Sequence, residues 1–83
     1  MQRPPDRERA YKDLQRRADR ISSLIVTGDY PAIDIVIQIR NLRGLVESLF
    51  PDRMRLFERV YESRFRRLWE QFREPREEPL PDW

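Results

Sequence analysis

Residues 28–44 are GDYPAIDIVIQIRNLRG, and this stretch decides the fold class. Its isoleucines at 33, 35, 37 and 39 alternate with other residues, as apolar side chains do in a half-buried β-strand. The segments on either side instead carry apolar residues at three- and four-residue steps, which is helical spacing. As a strand the stretch predicts a small DNA-binding dimer, and as a helix it predicts the buried middle of a helical fold.

Continuity with the following residues favours the helix. The alternation passes without a break into apolar residues at helical spacing, and no second alternating run is present to pair with a strand. β-Branched residues lose side-chain freedom in a helix, which weakens this prediction without reversing it. Projected at about 100° per residue, the side opposite the main apolar face carries Ile33, Val36 and Ile37 and, further along, Gly44 and Ser48. We therefore predict a helix at about 31–50 that is buried on two sides.

Two further helices flank this one. The first is predicted at about 6–26, where apolar residues recur at helical steps until Gly28 ends the pattern. The third is predicted at about 52–73 and has one strongly apolar face, made of Met54, Phe57, Tyr61, Phe65, Leu68, Trp69 and Phe72. Because short links favour antiparallel neighbours, we predict that residues 1–74 form an all-α, three-helix antiparallel bundle.

The end of the sequence has a different composition. Residues 75–83, PREEPLPDW, are rich in proline and acidic side chains and show no helical spacing. Such a composition is typical of a segment without regular structure, so we predict a disordered or extended tail.

Several classes of chemistry lack their usual side chains here. The sequence has no cysteine and no histidine, which excludes disulfides, thiolate or imidazole zinc sites and the commonest acid–base groups. Glu58 and Glu62 are predicted to form ordinary surface ion pairs with Arg55 and Arg66. On the helical projection Glu58 also falls inside the apolar face of the third helix, and if it is buried there we expect Arg40 or Arg43 to pair with it. We therefore expect a protein that is not an enzyme, with no metal, no cofactor and no small-molecule substrate.

The cellular setting follows from two absences in the sequence. No apolar run approaches the ~20 residues that span a bilayer. The N-terminal residues MQRPPDRERAYKD are charged and have no apolar segment behind them, unlike a secretion signal. We expect a cytoplasmic protein without a membrane partner.

Self-association is the main functional prediction. A chain of 83 residues buries a modest core, and small domains commonly gain stability from a partner. The second and third helices also carry more apolar surface than one copy is expected to cover. We predict a non-catalytic interaction module, either a homo-oligomer (a dimer above all) or a subunit of a larger assembly. The residues predicted to form its contact are Ile33, Ile37, Gly44, Phe65, Trp69 and Phe72.

Nucleic-acid binding is the alternative. The net charge is +2, and one face of the first helix carries four basic side chains without an acid among them: Arg9, Lys12, Arg16 and Arg20. Concentrated positive charge of this kind displaces counterions from phosphates. If residues 33–39 formed a strand instead, two copies would pair into a ribbon that resembles the ribbon-helix-helix DNA-binding dimers.

Overall fold

In the computed structural model, which describes residues 4–83, the secondary structure is helical throughout. Helix α1 spans Pro4–Thr27 and helix α2 spans Ala32–Leu49. The prediction of an all-α fold is confirmed. Helix α1 begins two residues before the predicted start, and residues 1–3 of the predicted 1–74 domain lie outside the described residues.

A third helical segment follows a 3-10 turn at Pro51–Arg53. It consists of helix α3 (Met54–Phe57), a π-helical turn (Glu58–Glu62) and helix α4 (Ser63–Phe72). The predicted third helix at about 52–73 is therefore present, but its regularity is interrupted in the middle.

The isoleucine stretch lies within α2. Because the described part of the chain contains no strand, the ribbon alternative is wrong. Ile35 and Ile39 are completely buried, whereas Ile33 and Ile37 are exposed. Val36, which was predicted on the side of Ile33 and Ile37, is buried next to the core side. The helix is thus buried on one side within a single copy, and the prediction of burial on two sides needs correction. The cause is that α1 and the third helical segment both pack on the side of α2 that carries Ile35 and Ile39.

The link between α1 and α2 is short because glycine permits a sharp turn. Gly28 follows the last residue of α1 with φ +77°, in the left-handed region that a residue with a side chain rarely adopts. Pro31 precedes α2 in an extended conformation, and its carbonyl accepts hydrogen bonds from the backbone N–H groups of Asp34 and Ile35. Four residues therefore suffice to link α1 to α2.

One hydrophobic core joins the three helical segments. Its members come from every segment: Leu14, Ala18, Ile21, Ile25, Ile35, Ile39, Leu42, Val46, Phe50, Phe57, Phe65 and Trp69. The ring of Tyr11 packs edge-on against Phe50 at a centroid distance of 6.2 Å. Phe65 and Trp69 are 0% exposed, so this part of the core is closed within one copy.

The C-terminal tail packs against this core. After a 3-10 turn at Glu74–Arg76 the chain has no regular structure, yet Leu80 and Trp83 lie against the buried cluster. The indole N–H of Trp69 donates to the carbonyl of Glu78 at 2.9 Å, and the rings of Trp69 and Trp83 are 6.0 Å apart. Of the two alternatives predicted for the tail, the disordered one is corrected, because these residues lack regular structure but pack over Trp69.

Candidate functional site

The outer face of α2 is the most exposed apolar feature in the described residues. We define it as Ile33, Ile37, Gly44 and Ser48, all of which are exposed. Ile33 is 65% exposed and Ile37 is 47% exposed, one helical turn apart. A methyl group placed on Gly44 would meet no atom within 4 Å, so the space above this residue is open. Of the predicted contact residues, Ile33, Ile37 and Gly44 are therefore accessible to a partner.

Two of the three aromatic residues predicted to contact a partner are not accessible. Phe65 and Trp69 are fully buried, whereas Phe72 is half-buried at the end of α4. The prediction is corrected for Phe65 and Trp69, because α1 and the tail pack against α4 within one copy, and for Phe72 it stays a prediction. The exposed aliphatic side chains of the third segment are instead Leu56 and Val60.

A charged cluster links α2 to the third segment. One guanidinium nitrogen of Arg43 donates to both carboxylate oxygens of Glu62 at 2.8 Å, and the other donates to Glu58 at 2.8 Å. Glu62 is only 7% exposed. Hydrogen bonding to Glu62 raises the pKa of Arg43 above its ordinary value. The surface pairs predicted with Arg55 and Arg66 are therefore wrong, whereas Arg43, one of the two alternative partners predicted for Glu58, binds both acids.

The π-helical turn explains why Glu62 is buried. Within it the backbone N–H of Ser63 bonds to the carbonyl of Glu58, five residues earlier. This wider turn shifts the register of the following residues relative to an uninterrupted α-helix. Glu62 thereby turns towards α2, where Arg43 neutralises its charge. Within the described residues no group of three or more acidic side chains is arranged to hold a metal ion.

Arg73 is a buried cation that the sequence analysis missed. Its side chain is 1% exposed and lies over the ring of Trp69 at 5.2 Å. It donates to the carbonyls of Ile25 at 3.1 Å and Leu24 at 2.8 Å, and to the carboxylate of Glu78 at 2.8 Å. The last four carbonyls of a helix have no partner within it, and a cation is favourable beside them. One feature of the sequence is consistent with this position of Arg73. The last turn of α1 has no basic residue of its own, so a cation from another segment can bind its carbonyl groups.

The basic stripe of α1 is exposed along its whole length. It comprises Arg9, Lys12, Arg16 and Arg20. Arg16 has a loose ion pair with Asp13 at 3.7 Å. Beside the stripe, α1 and α2 enclose a depression of about 330 Å³, lined in part by Arg20, Gln38 and Asn41. The stripe thus borders amide side chains that can donate or accept hydrogen bonds.

An apolar groove lies at the other end of the molecule. It has a volume of about 520 Å³, and its walls include Tyr11, Leu14, Phe50, Phe57 and Tyr61. Burial, and the neighbouring Tyr11, raise the pKa of the Tyr61 phenol. At the mouth, Arg7 and Arg53 both lie near the carboxylate of Asp52, so the rim has no strong excess of one charge. This groove carries no acid–base or nucleophilic constellation.

Comparison of the sequence with known protein families, and of the chain with curated proteins and solved structures, finds no match. No described helix is long and apolar enough to cross a membrane.

Proposed function

We propose that this protein is a non-catalytic, cytoplasmic assembly module: a three-helix antiparallel bundle that pairs with a second copy through the outer face of α2. The observation that carries the proposal is the exposure of Ile33 and Ile37 beside the open surface of Gly44. Adjacent branched aliphatic side chains on the outside of a helix gain free energy when a partner removes them from water. A place as one subunit of a larger assembly would use the same face.

The size of the face predicts a weak complex. Helix α2 has 18 residues, so at about 1.5 Å per residue it is about 27 Å long. A strip about 10 Å wide along that length gives a footprint of about 300 Å² per copy, well below the ~800 Å² per partner of standard interfaces. We therefore expect a dissociation constant of roughly 10–100 μM, the range of transient pairs.

Sedimentation equilibrium from low to high micromolar concentration tests this proposal. We expect the apparent mass to rise towards that of a dimer, and we expect Ile33→Glu/Ile37→Glu to remain monomeric because two carboxylates would be desolvated at the contact. Circular dichroism of the variant should match that of the wild type, since both side chains are exposed.

Leu56→Glu/Val60→Glu is the matched control. It makes the same chemical change at two exposed aliphatic positions one turn apart on the third segment. This control should associate as the wild type does. A monomeric wild type at every concentration would refute the proposal, and so would loss of association only in the control variant.

Nucleic-acid binding is supported by a different observation. The four basic side chains of the α1 stripe are all exposed, and Arg20 borders the amides of Gln38 and Asn41. If all four cations contact phosphates, affinity for a single-stranded or duplex pool should fall about 50–150-fold between about 50 and about 200 mM salt. Filter binding or fluorescence anisotropy measures this dependence.

The stripe predicts which basic residues determine binding in that assay. Replacement of Arg9, Lys12, Arg16 and Arg20 by alanine should abolish retention. Replacement of four exposed arginines on the third segment removes the same charge and should retain most of the binding; these are Arg55, Arg59, Arg66 and Arg67. Equal losses in the two variants would argue against a specific role for the stripe.

A further inference from the structure

We infer that two α2 helices pair antiparallel about a two-fold axis, with Ile37 of each copy packed over Gly44 of the other. This inference rests on the proposed function and specifies its geometry. The first half of the outer face is bulky and apolar, while the second half carries Gly44 and Ser48 and is small. A face of this kind is complementary to itself only in the antiparallel orientation.

The spacing within the face fits that orientation at two points. Ile33 and Ile37 are four residues apart, and so are Gly44 and Ser48. An antiparallel register that puts Ile37 over Gly44 therefore also puts Ile33 over Ser48. A parallel pair would instead oppose isoleucine to isoleucine and glycine to glycine, which leaves a gap at one end. Close packing without voids favours the antiparallel pair.

Gly44 itself has no packing role within one copy. Glycine in the interior of a helix destabilises it relative to alanine, so a neighbour that needs the space is the usual structural reason for its presence. Here a methyl group on Gly44 would meet nothing within 4 Å, and the residue has an ordinary helical backbone without positive φ. The open surface over Gly44 is therefore available to the side chain of a second copy.

The charged residues beside the face define the rim of this pair. Arg40 and Glu47 are exposed and, at about 100° per residue, lie along one edge of the outer face. In an antiparallel pair related by a two-fold axis, this edge of one helix lies beside the same edge of its partner. With Ile37 over Gly44, the two Arg40 residues lie next to each other at the axis, and each is about 9 Å along the helix from the partner's Glu47. The rim therefore adds no charge attraction, and the pair depends on the fit of Ile33 and Ile37 against Gly44 and Ser48.

Disulfide trapping tests the register directly, since the sequence contains no cysteine. Ile37→Cys and Gly44→Cys variants are prepared separately, mixed at a concentration where the wild type associates, and mildly oxidised. We expect the mixture to give at least tenfold more cross-linked dimer than either variant alone. Ile33→Cys mixed with Ser48→Cys should behave in the same way while leaving Ile37 and Gly44 intact. Leu56→Cys mixed with Gly44→Cys is the control for random collision.

The outcomes separate this inference from the proposed function. Efficient cross-linking of Ile37→Cys with itself would place Ile37 against Ile37, as in a parallel pair or an antiparallel pair of another register, and would overturn the register proposed here. A wild type that dimerises while neither mixed pair exceeds the Leu56 control would also overturn the register but leave self-association standing. A wild type that never dimerises would refute the proposed function and this inference together.

Gly44→Ala gives an independent test because its two effects have opposite signs. Without a second copy, alanine should raise the melting temperature by about 2–6 °C, since it favours the helix and meets no neighbour. With a second copy, the added methyl group should hold the helices apart and weaken the dissociation constant at least fivefold. A variant that associates as tightly as the wild type would contradict the contact between Ile37 and Gly44.

Discussion

Replacement of Arg73 by methionine is expected to lower the free energy of unfolding by about 3–5 kcal/mol, the usual cost of removing one member of a buried charged network. Methionine retains much of the side-chain volume but none of the donors. The variant would lose the hydrogen bonds to the carbonyls of Leu24 and Ile25 and to the carboxylate of Glu78. Urea denaturation followed by circular dichroism measures the difference.

Two other substitutions show which property of Arg73 matters. Arg73→Lys keeps the charge but cannot reproduce the three directed hydrogen bonds. Its free energy of unfolding should therefore lie between those of Arg73→Met and the wild type. Arg66→Met makes the same change at an exposed position and should cost less than about 0.5 kcal/mol, as surface substitutions usually do. Equal stability of Arg73→Met and the wild type would mean that the contact between α1 and the tail contributes nothing to the fold.

The main helices could be predicted from the sequence because their apolar residues follow the helical period. The observed α2, Ala32–Leu49, differs by one residue at each end from the predicted 31–50. The competing alternation of isoleucines reflected two sides of one helix. Ile35 and Ile39 face the core, and Ile33 and Ile37 face away from it. A projection of the sequence separates these two sides correctly, but it does not say which of them one copy covers.

The π-helical turn was missed although the sequence contains a signal for it. Phe57, Tyr61, Phe65 and Trp69 follow one another at strict four-residue steps. In an α-helix four residues turn about 400°, so such a row drifts by about 40° at every step. A π-helical turn contains more residues per turn and removes part of that drift. The projection assumed a regular helix and placed Glu58 inside the apolar face, whereas Glu62 is the buried acid.

The packing of the tail could not be predicted because its contacts are not periodic. Trp83 packs on Trp69, and Glu78 contacts both Trp69 and Arg73 through one carbonyl and one carboxylate. These are individual contacts between residues that are several positions apart, and composition alone favours an unstructured segment. The tail buries Trp69 within one copy. Because the sequence predicts a tail without regular structure, it does not show that the tail covers these aromatic residues, and a partner is predicted in its place.

Arg43→Leu is expected to lower the free energy of unfolding by about 2–3 kcal/mol, because it leaves the carboxylate of Glu62 buried without a cation. This value lies below the usual range for buried pairs since the Arg43 side chain is 36% exposed and water can partly replace it. Glu58 is exposed enough to turn into solvent. Most of the loss should therefore originate from Glu62, and urea denaturation at neutral pH measures it.

The double variant Arg43→Leu/Glu62→Leu separates a charge effect from a packing effect. With both charges removed, no buried carboxylate lacks a partner, and hydrophobic pairs often replace buried ion pairs without loss. We expect the double variant to recover at least half of the stability lost in Arg43→Leu. Arg43→Leu/Glu58→Leu is the matched control and should recover little, because Glu58 is solvated in either case. If the two double variants were equally stable, the loss of unfolding free energy in Arg43→Leu would not result from leaving Glu62 buried without a cation. The π-helical turn, which places Glu62 beside Arg43, would then have no electrostatic effect on the stability of the fold.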